Sequence, residues 1–399
     1  KDLLFDPSRN MFLEGHISEI STIKFVPPKG ELLLSADYFG SISAWDAIPD
    51  ENGVGFERSR LFSEYSFSEF SVSDDGSLIL AGGADSTSGN GTLEEAKLLH
   101  KGVVWQTEDL LKSPNPAPFL ELKGQHPNFA ITAVAISPSV SNLVTAGRRG
   151  RMVVWNASDA TVVASADGRH NNDQVSGIFF ESETQLVSSG YDGKVFRSTI
   201  QGRELIVEPI QRSVGQIDPA FIIRMRPSPD RKRFATTEVS LVNDAGSKTG
   251  QLNVTIWSKE GTRMLLPQPI RIPQNDKELA FRHDVSWSSG GSELMLVYDG
   301  SIGIFDTTEW KLLRKFNCEV RGSRPIRGAF APGMDDRISD RIATFDGRIS
   351  HMWDLPLDGS AGVHTAEFRS HARYAVAASY SSDEKFVATA SETLRVFDA

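Results

Sequence analysis

A short apolar stretch that ends in tryptophan or phenylalanine recurs along the whole chain. The clear copies end at Trp45, Trp155, Trp257, Phe305, Trp353 and Phe397, and two looser copies end at Trp105 and Phe196. Seven intervals separate Trp45 from Phe397, so the mean spacing is about 50 residues, close to that of repeated four-stranded sheets. The period therefore constrains the fold before any single residue is considered.

Each repeat has the pattern of several short strands. In the first copy, Thr22–Phe25 alternates with period two, Pro27–Gly30 forms a turn, Leu32–Ser35 is apolar, and Gly40 opens the strand that ends at Trp45. Four strands per repeat predict an all-β fold. We expect residues 1–399 to form one closed β-propeller of eight four-stranded blades, with seven blades as the alternative because the second and fourth copies are weak.

The repeated aromatic residues have the character of structural plugs. A tryptophan or phenylalanine between adjacent sheets buries roughly 150–250 Å². The innermost strands of a propeller are crowded, and small residues are found at the corresponding positions: Ala133, Ala135, Gly177, Ala375, Ala377 and Ala378. We therefore assign the aromatic residues to packing between blades.

Several of the copies carry a specific combination of turn and flanking residues. Asp-Gly pairs at 192–193, 299–300 and 346–347 supply the positive φ of a tight turn, Gly15-His16 precedes the first copy, and Asp follows Trp45 and Trp353. With these residues the chain resembles the WD-repeat family, and the resemblance covers nearly the whole sequence. It implies a β-propeller that serves as a platform for protein interactions.

In the WD-repeat family a histidine, a serine or threonine, the turn aspartate and the tryptophan form a hydrogen-bonded chain within each blade. The resemblance implies such chains here, each with a member missing. The first copy has His16, Ser35 and Trp45 but Phe39 at the aspartate position. The fourth has His170, Ser188 and Asp192 but Ser198 at the tryptophan position.

The two ends of the chain are expected to meet. Only seven fourth strands follow the eight third strands, and residues 10–14 have the composition of a strand. Pairing that strand with the last repeat would complete the final blade and remove the unpaired edges of an open ring. Two inserts, Gly83–Leu99 and Val242–Gly250, are predicted to lengthen turns between second and third strands, with a half-turn of helix over Leu93–Leu99.

Composition excludes several classes of function. The net charge of −10 argues against a nucleic-acid partner, and no apolar run is long enough to span a membrane. The one cysteine, Cys318, can form no disulfide within the chain, which slightly favours the cytoplasm but does not exclude an oxidising compartment. No signal peptide is present in the sequence, and we expect a monomeric domain that could belong to a longer chain.

No catalytic, metal or cofactor motif is present in the sequence. Nucleophile elbows, zinc-protease helices, phosphate-binding loops and calcium loops are all missing, so we predict a protein that is not an enzyme and has no catalytic residues, metal or cofactor. The alternative is a propeller enzyme or small-ligand sensor whose site is assembled at the central channel from several blades.

The residues just before the tight turns are the candidate binding residues. In a propeller these turns surround one mouth of the channel, and here they place the following residues on what we call the rim: Tyr38, Arg148, Arg149, Tyr191, Tyr298 and Phe345. Tyrosine and arginine are common in interface hot spots, and arginine suits a carboxylate or phosphate. We predict that the rim binds a protein or peptide; the alternative is that the tyrosines only cover neighbouring blades.

Overall fold

The structure of the protein is a computed structural model. It describes residues 11–13, 16, 20–28, 31–37, 41–46, 57–61, 65–85, 101–126, 130–211, 219, 221–244, 247–258, 261–265, 270–272, 283–298, 300–318, 327–331, 341–345, 349–356, 360–369, 377–380, 386–390 and 394–398. For some of these residues only the backbone is described.

The described residues are almost entirely strands. In chain order the first strands are β1 (Met11–Leu13), β2 (Ile20–Phe25), β3 (Leu32–Asp37), β4 (Ile42–Asp46), β5 (Glu57–Leu61), β6 (Tyr65–Val72), β7 (Leu78–Asp85), β8 (Gly102–Gln106), β9 (Leu120–Leu122), β10 (Ile131–Ile136) and β11 (Asn142–Gly147). They continue with β12 (Met152–Asn156), β13 (Val162–Ala166), β14 (Val175–Phe180), β15 (Gln185–Gly190), β16 (Val195–Gln201), β17 (Glu204–Pro209), β18 (Phe221–Pro227), β19 (Phe234–Asp244), β20 (Ser247–Ser258), β21 (Gly261–Met264) and β22 (Ile270–Ile272). The last are β23 (His283–Trp287), β24 (Glu293–Tyr298), β25 (Ser301–Asp306), β26 (Leu312–Asn317), β27 (Arg327–Phe330), β28 (Arg341–Phe345), β29 (Ile349–Asp354), β30 (Val363–Arg369), β31 (Ala377–Tyr380), β32 (Phe386–Ala390) and β33 (Leu394–Asp398).

Three short helical segments complete the described secondary structure: the helix α1 (Thr107–Lys112) and two 3-10 segments, η1 (Arg148–Gly150) and η2 (His170–Asn172). The helix α1 follows β8 directly and was not expected from the sequence. The segments η1 and η2 lie in the connections before β12 and β14 and shape the candidate site described below.

The strands pair as antiparallel meanders in which each strand lies beside the next. Four sheets have four consecutive strands each: β2–β5, β6–β9, β23–β26 and β27–β30. The sheet β18–β21 has a fifth strand, β22, which pairs with β20. The predicted pattern of four strands per repeat is thus found in the sheets of the described residues.

Two neighbouring meanders are joined into one sheet of eight strands. The meanders β10–β13 and β14–β17 meet at their outermost strands, β13 and β17, which run parallel with Ser165 opposite Glu204. Each outer strand thereby covers part of the other's edge, and this limits the unpaired backbone that either would expose.

The first strand of the chain pairs with the last. Met11 lies opposite Val396 and Leu13 opposite Leu394, so β1 becomes the fourth strand of the sheet β1-β33-β32-β31. The Leu13 side chain is buried in a cluster that also contains Ile20 and Trp45 of the first repeat. Apolar packing therefore adds to the backbone hydrogen bonds that hold this strand.

The chain is divided into two compact units. One unit comprises residues 1–62, 110–116 and 282–399, and the other comprises residues 63–109 and 117–281. In the first unit the leading strands β23, β27, β31 and β2 pack against one another in that order, and in the second β6, β10, β14 and β18 do so. Each unit is thus a row of meanders that touch through their first strands.

The repeated tryptophans are buried plugs, as predicted. Trp45, Trp105, Trp155, Trp257 and Trp353 are at most 5% exposed. Four of these indoles donate from Nε1 to a hydroxyl on the second strand of the same sheet, at 2.7–2.9 Å: Trp45 to Ser35, Trp155 to Thr145, Trp257 to Thr236 and Trp353 to Thr344. The hydrogen bond satisfies the one polar group that an indole takes into a core.

Four sheets close their first hairpin with the same turn. A buried serine directly follows the first strand, and its hydroxyl accepts the amide N–H five residues later at 2.9–3.1 Å: Ser73, Ser137, Ser228 and Ser288. The third residue after each serine has a positive φ of 57–72°: Gly76, Val140, Arg231 and Gly291. We call this the serine turn, and the opposite end of each sheet the rim end.

One of the predicted inserts is not a loop. Residues 242–244 and 247–250 extend β19 and β20, which stay in register from Phe234 opposite Trp257 to Asp244 opposite Ser247. The β-branched Val242 and Thr249 suit an extended hairpin, so the prediction of a lengthened turn is wrong here. Of the other insert, residues 83–85 belong to β7, and the remainder, with its predicted half-turn of helix, lies outside the described residues.

Candidate functional site

Four of the six predicted rim residues have described side chains, and these four are divided between the two units. Tyr38 lies outside the described residues, and Phe345 ends β28 with a side chain that also lies outside them. Tyr298 ends β24 and is half-buried, in the unit formed by the two ends of the chain. Arg148, Arg149 and Tyr191 belong to the other unit, where all three are exposed.

The turn that presents the two arginines is strained. Arg149 has φ 65° and ψ 18°, and Gly150 has φ 66°, both in the left-handed region. For a residue with a Cβ atom this conformation costs of order 1 kcal/mol, and glycine or asparagine is the usual choice. An arginine at such a position is a local violation of backbone preference of the kind found at functional sites.

A second turn supports the first by direct backbone contact. A Cβ atom on Gly150 would lie 1.4 Å from the carbonyl oxygen of Arg169, so only glycine fits. Arg169 immediately precedes η2, the connection that leads into the next meander. The exposed Arg169 side chain is therefore carried by a turn on which the Arg148–Gly150 turn rests.

The second turn is itself left-handed over three residues. His170, Asn171 and Asn172 have φ values of 55°, 48° and 60°. Asparagine tolerates this region because its short amide bonds to the local backbone. Three successive residues of this kind form a compact bend, and its two asparagine side chains are exposed.

His170 fixes the bend in the sheet below. Its Nδ1 lies 2.9 Å from an Asp192 carboxylate oxygen, and its Nε2 lies 2.9 Å from the Ser188 hydroxyl. The histidine is fully buried, and a Cβ atom on Gly190 would lie 2.3 Å from its Nδ1. The ring thus occupies the space that glycine leaves at the end of β15.

The Asp192 carboxyl is ionised in this setting. Burial acts to raise its pKa, but the hydrogen bond and charge of His170, with the Lys194 amide at 3.1 Å, together hold the pKa below the usual value. The carboxylate therefore anchors both the histidine of the bend and the tight turn that precedes β16.

Tyr191 occupies the same tight turn and completes a continuous surface. Its amide donates to the carbonyl of Gln174, just after the bend, at 3.0 Å, and the residue is 37% exposed. Three turns thus meet at the rim end of two adjacent meanders. We call the surface formed by Arg148, Arg149, Arg169 and Tyr191 the basic corner.

The positive charge of the basic corner is only partly balanced. The neighbouring Arg151 pairs with Asp167 and donates to Gln125 Oε1 at 2.8 Å. The guanidinium groups of Arg148 and Arg169 have no ion pair or hydrogen bond within the described residues. Asp173 is the exposed acid beside the bend. The corner is therefore positive on a chain whose net charge is −10.

The His170 network contains the residue types of a hydrolase triad but cannot act as one. Ser188 is fully buried, so no substrate carbonyl reaches its hydroxyl. The same network in the first sheet has His16 2.6 Å from the Ser35 hydroxyl, and Trp45 donates to that same oxygen. These are internal supports, as the WD-repeat resemblance implies.

The first network is complete, which corrects the expectation that Phe39 replaces its acid. Asp37, two residues earlier, lies 2.9 Å from His16 Nδ1 and accepts the Ser41 amide at 3.0 Å. The acid sits at the end of β3 and reaches the same histidine atom. The fourth network does lack its tryptophan, because Ser198 pairs with Leu186 as Trp155 pairs with Leu143.

Two kinds of feature are absent from the described residues. None of their helices combines the length and apolar character needed to cross a membrane. Within the same set, no three or more histidine, cysteine, aspartate or glutamate side chains are grouped so that they could hold a metal ion.

Comparison with solved structures identifies the fold. The chain is similar to the C-terminal WD40 domain of Sif2, with a TM-score of 0.66 and 13% identity over 98% of this chain and 98% of that chain. It is equally similar to the computationally designed Ika8 protein, with a TM-score of 0.66 and 16% identity over 98% and 99% of the two chains. The protein therefore has a WD40-like β-propeller fold.

Sequence comparison adds no relative. No model of a known family matches the chain. No curated protein matches it either. At the identities found among solved structures the likeness is one of fold, and function has to be argued from the site.

The sequence did not point to every residue of the basic corner. Arg169, Asn171 and Asn172 lie in the connection before β14, outside the turns from which the rim was predicted. The sequence signal for these residues is the adjacent His170, which marks the start of a repeat. The sequence predicted His170 as part of the hydrogen-bonded chain within a blade. Only the contact between Gly150 and Arg169 shows that the two connections meet.

Proposed function

We propose that the protein is a non-catalytic scaffold that binds a protein or peptide partner on the rim, chiefly through the basic corner. The observation that carries the proposal is the contact between the strained Arg148–Gly150 turn and the Arg169 turn. It sets exposed arginines beside an exposed tyrosine on a rigid sheet end. Arginine and tyrosine at a rigid, exposed position are the residues that interfaces use most.

The buried Ser-His-Asp networks support a non-catalytic role. Each is enclosed in a sheet and has its polar atoms directed at its own strands. They hold the turns in place, and the exposed residues above them make the surface. This division of work is that of a binding platform on a stable fold.

A capture experiment tests the proposal. The intact chain is used as bait in lysate of its own source, and captured proteins are compared with those taken by the triple variant Arg148→Ala, Tyr191→Ala, Tyr298→Ala. Arg203→Ala is the matched control, because Arg203 is exposed in the turn between β16 and β17, away from the rim end.

The outcome is read on a purified partner. We expect the triple variant to bind at least tenfold more weakly and the control to bind within twofold of the wild type. Equal binding by the triple variant would remove the rim from the proposal. If neither the wild type nor the Arg203→Ala control captures any protein above the background of bait-free beads, the scaffold function itself is removed.

We propose further that eight blades form the ring and that β1 closes it. The pairing of β1 with β33 supports this closure. Deletion of residues 1–14 exposes one edge of β33 and empties the site of the buried Leu13. We expect the melting temperature to fall by more than about 5 °C in a calorimetric scan, and an unchanged melting temperature would contradict closure by this strand.

A further inference from the structure

We infer that the basic corner takes an acidic peptide segment, one with two or more aspartate or glutamate carboxylates. The inference rests on the proposed interaction function and adds the chemistry of the partner. Its starting point is a contrast within one unit: several arginines there have an internal carboxylate, and Arg148 and Arg169 of the corner have none within the described residues.

Other arginines of this unit are paired with carboxylates of the same chain, and these pairs hold parts of the fold together. Arg197 makes two bonds to Glu181, at 2.7 and 2.8 Å, and Arg231 bonds to Asp74 at 2.6 Å. Arg151 pairs with Asp167 next to the corner. Arg148 and Arg169 have no such partner within the described residues, so their charge is available to an external carboxylate.

The backbone holds these charges close together. Gly150 rests on the Arg169 carbonyl, and Arg148 donates its amide to Ala130 at 3.2 Å. Both turns are thus fixed before a ligand arrives, and less entropy is lost on binding than at a flexible loop. The positive φ of Arg149 points the same way, because the conformation favours glycine and the chain keeps an arginine there.

The whole-molecule charge makes a local explanation necessary. A chain with a net charge of −10 repels an acidic segment at long range. Only a concentrated positive site overcomes that repulsion, and it does so at close range. Salt screens charges that are farther apart than the Debye length, which is about 10 Å at 0.1 M. Binding should therefore need several carboxylates and should weaken as salt is added.

Carboxylates fit the corner better than a single phosphate. The guanidinium groups come from two separate turns, so each planar fork can take its own carboxylate along an extended segment. The exposed Asp173 lies beside the bend and disfavours a dianion more than a single negative charge. Tyr191 adds an exposed ring for an apolar residue of the same segment.

Fluorescence anisotropy with a defined probe tests the inference. The probe is a fluorescein-labelled peptide of ten residues with four glutamates and one leucine. The same peptide with glutamine in place of glutamate, and the glutamine peptide with one phosphoserine, are the comparison probes. The proteins are the intact wild type, the double variant Arg148→Gln, Arg169→Gln, and the control Arg203→Gln.

We expect the glutamate peptide to bind the wild type at 50 mM salt and to lose affinity at least tenfold in the double variant. The control should stay within twofold, and circular dichroism melts should show that both variants are folded. Affinity should fall severalfold at 200 mM salt. The glutamine peptide should not bind.

Three results would overturn the inference. One is equal binding of the glutamate peptide to wild type and double variant; another is no binding to the wild type. The third is tighter binding of the single phosphoserine peptide with the same dependence on Arg148 and Arg169, which assigns the corner to phosphate. If a partner is captured but the glutamate peptide does not displace it, the scaffold function stands and the acidic-segment inference fails.

Discussion

The two ends of the meanders are built on opposite principles. At one end, four sheets repeat the serine turn with nearly the same hydrogen bonds, from Ser73, Ser137, Ser228 and Ser288. At the rim end of the eight-stranded sheet, the described turns differ from one another: two strained turns carry exposed arginines and asparagines, and the tight turn beside them carries the exposed Tyr191. The regular end preserves the fold, and the irregular end is where the proposed function places the partner.

The largest expected effect lies at the rim end, at Gly150. Substitution Gly150→Ala forces a Cβ atom into the Arg169 carbonyl at 1.4 Å and adds the cost of φ 66°. We expect the free energy of unfolding to fall by about 3 kcal/mol or more, measured by urea denaturation.

The matched control for Gly150 is Gly202→Ala. Gly202 has φ 62° but nothing within 4 Å of its Cβ position, so it isolates the conformational cost, about 1 kcal/mol. If the two substitutions cost the same, the contact between the two turns does not contribute to stability, and the basic corner loses its rigid support.

The second effect is a pH dependence at the serine-turn end. Burial and, to a lesser degree, Asp306 raise the pKa of Glu293 to about 7 against the pull of Arg314. The folded state then holds a proton that the unfolded chain releases near pH 4.5. The stability from this group is present below about pH 4.5 and is lost as pH rises to about 7.

Glu293→Gln should remove this loss. As the pH rises from 5 to 8, the free energy of unfolding of the variant should increase by about 2 to 3 kcal/mol relative to that of the wild type. One unit of pKa shift corresponds to about 1.4 kcal/mol. Urea denaturation at both pH values checks it, with the exposed Glu309→Gln as control. A difference independent of pH would show that Glu293 is ionised in the fold.

The pKa of Asp192 shifts in the opposite direction and gives the rim-end counterpart. Its lowered pKa means that its contribution is present above the unfolded value of 3.8 and is lost as pH falls through the folded value. The difference between wild type and Asp192→Asn should therefore shrink only in acid, below about pH 4. The free energy of unfolding therefore depends on pH in opposite directions for these two carboxyl groups, which lie at opposite ends of their sheets.

The third effect is the loss of single serine turns. Ser137→Ala removes the hydroxyl that accepts the Asn142 amide at 3.0 Å in a buried position. We expect a loss of about 1 to 2 kcal/mol in the free energy of unfolding, and similar losses at Ser73 and Ser228. Ser158→Ala, whose hydroxyl is exposed, should cost less than about 0.5 kcal/mol. Unequal losses at the three turns would contradict the view that the serine-turn end of the sheets is uniform.

The smallest effect is a gain. Val140 holds the positive-φ position of a serine turn at 60°, where a β-branched residue is strained. Val140→Gly should raise the free energy of unfolding by about 0.5 kcal/mol, measured in the same denaturation series, because relief of strain exceeds the added entropy of the unfolded chain. The reverse change, Gly76→Val, should destabilise. Arg231 is unsuitable for this test, since it also bonds to Asp74.

The sequence predicted most of the fold because its signals are periodic. The spacing of Trp45, Trp155, Trp257 and Trp353 gave the meanders, and alternation gave the strands. The serine turn also has a sequence signal, a serine five residues before the second strand in three copies and six residues before it in the fourth. The extension of β19 and β20 differs from the predicted turn because the β-branched Val242 and Thr249 favour a strand beside the turn-forming residues.

The candidate site was less predictable because it depends on contacts between connections. Arg148, Arg149 and Tyr191 were named from their position before tight turns. Arg169 joins them through a backbone approach that no local pattern encodes. The role of Asp37 as the acid of the first network was not predicted for a related reason. An acid at either of two positions in the repeat can reach the same histidine atom.

The pairing of β1 with β33 has a mechanical consequence. Because the two strands are antiparallel and Met11 lies opposite Val396, both chain ends leave from the same side of the pair. A force that pulls the ends apart would open this pair like a zipper, one bond after another, starting at Met11. The strand that joins the two ends would then be the first to yield under tension, while the other strands of its sheet are still unloaded.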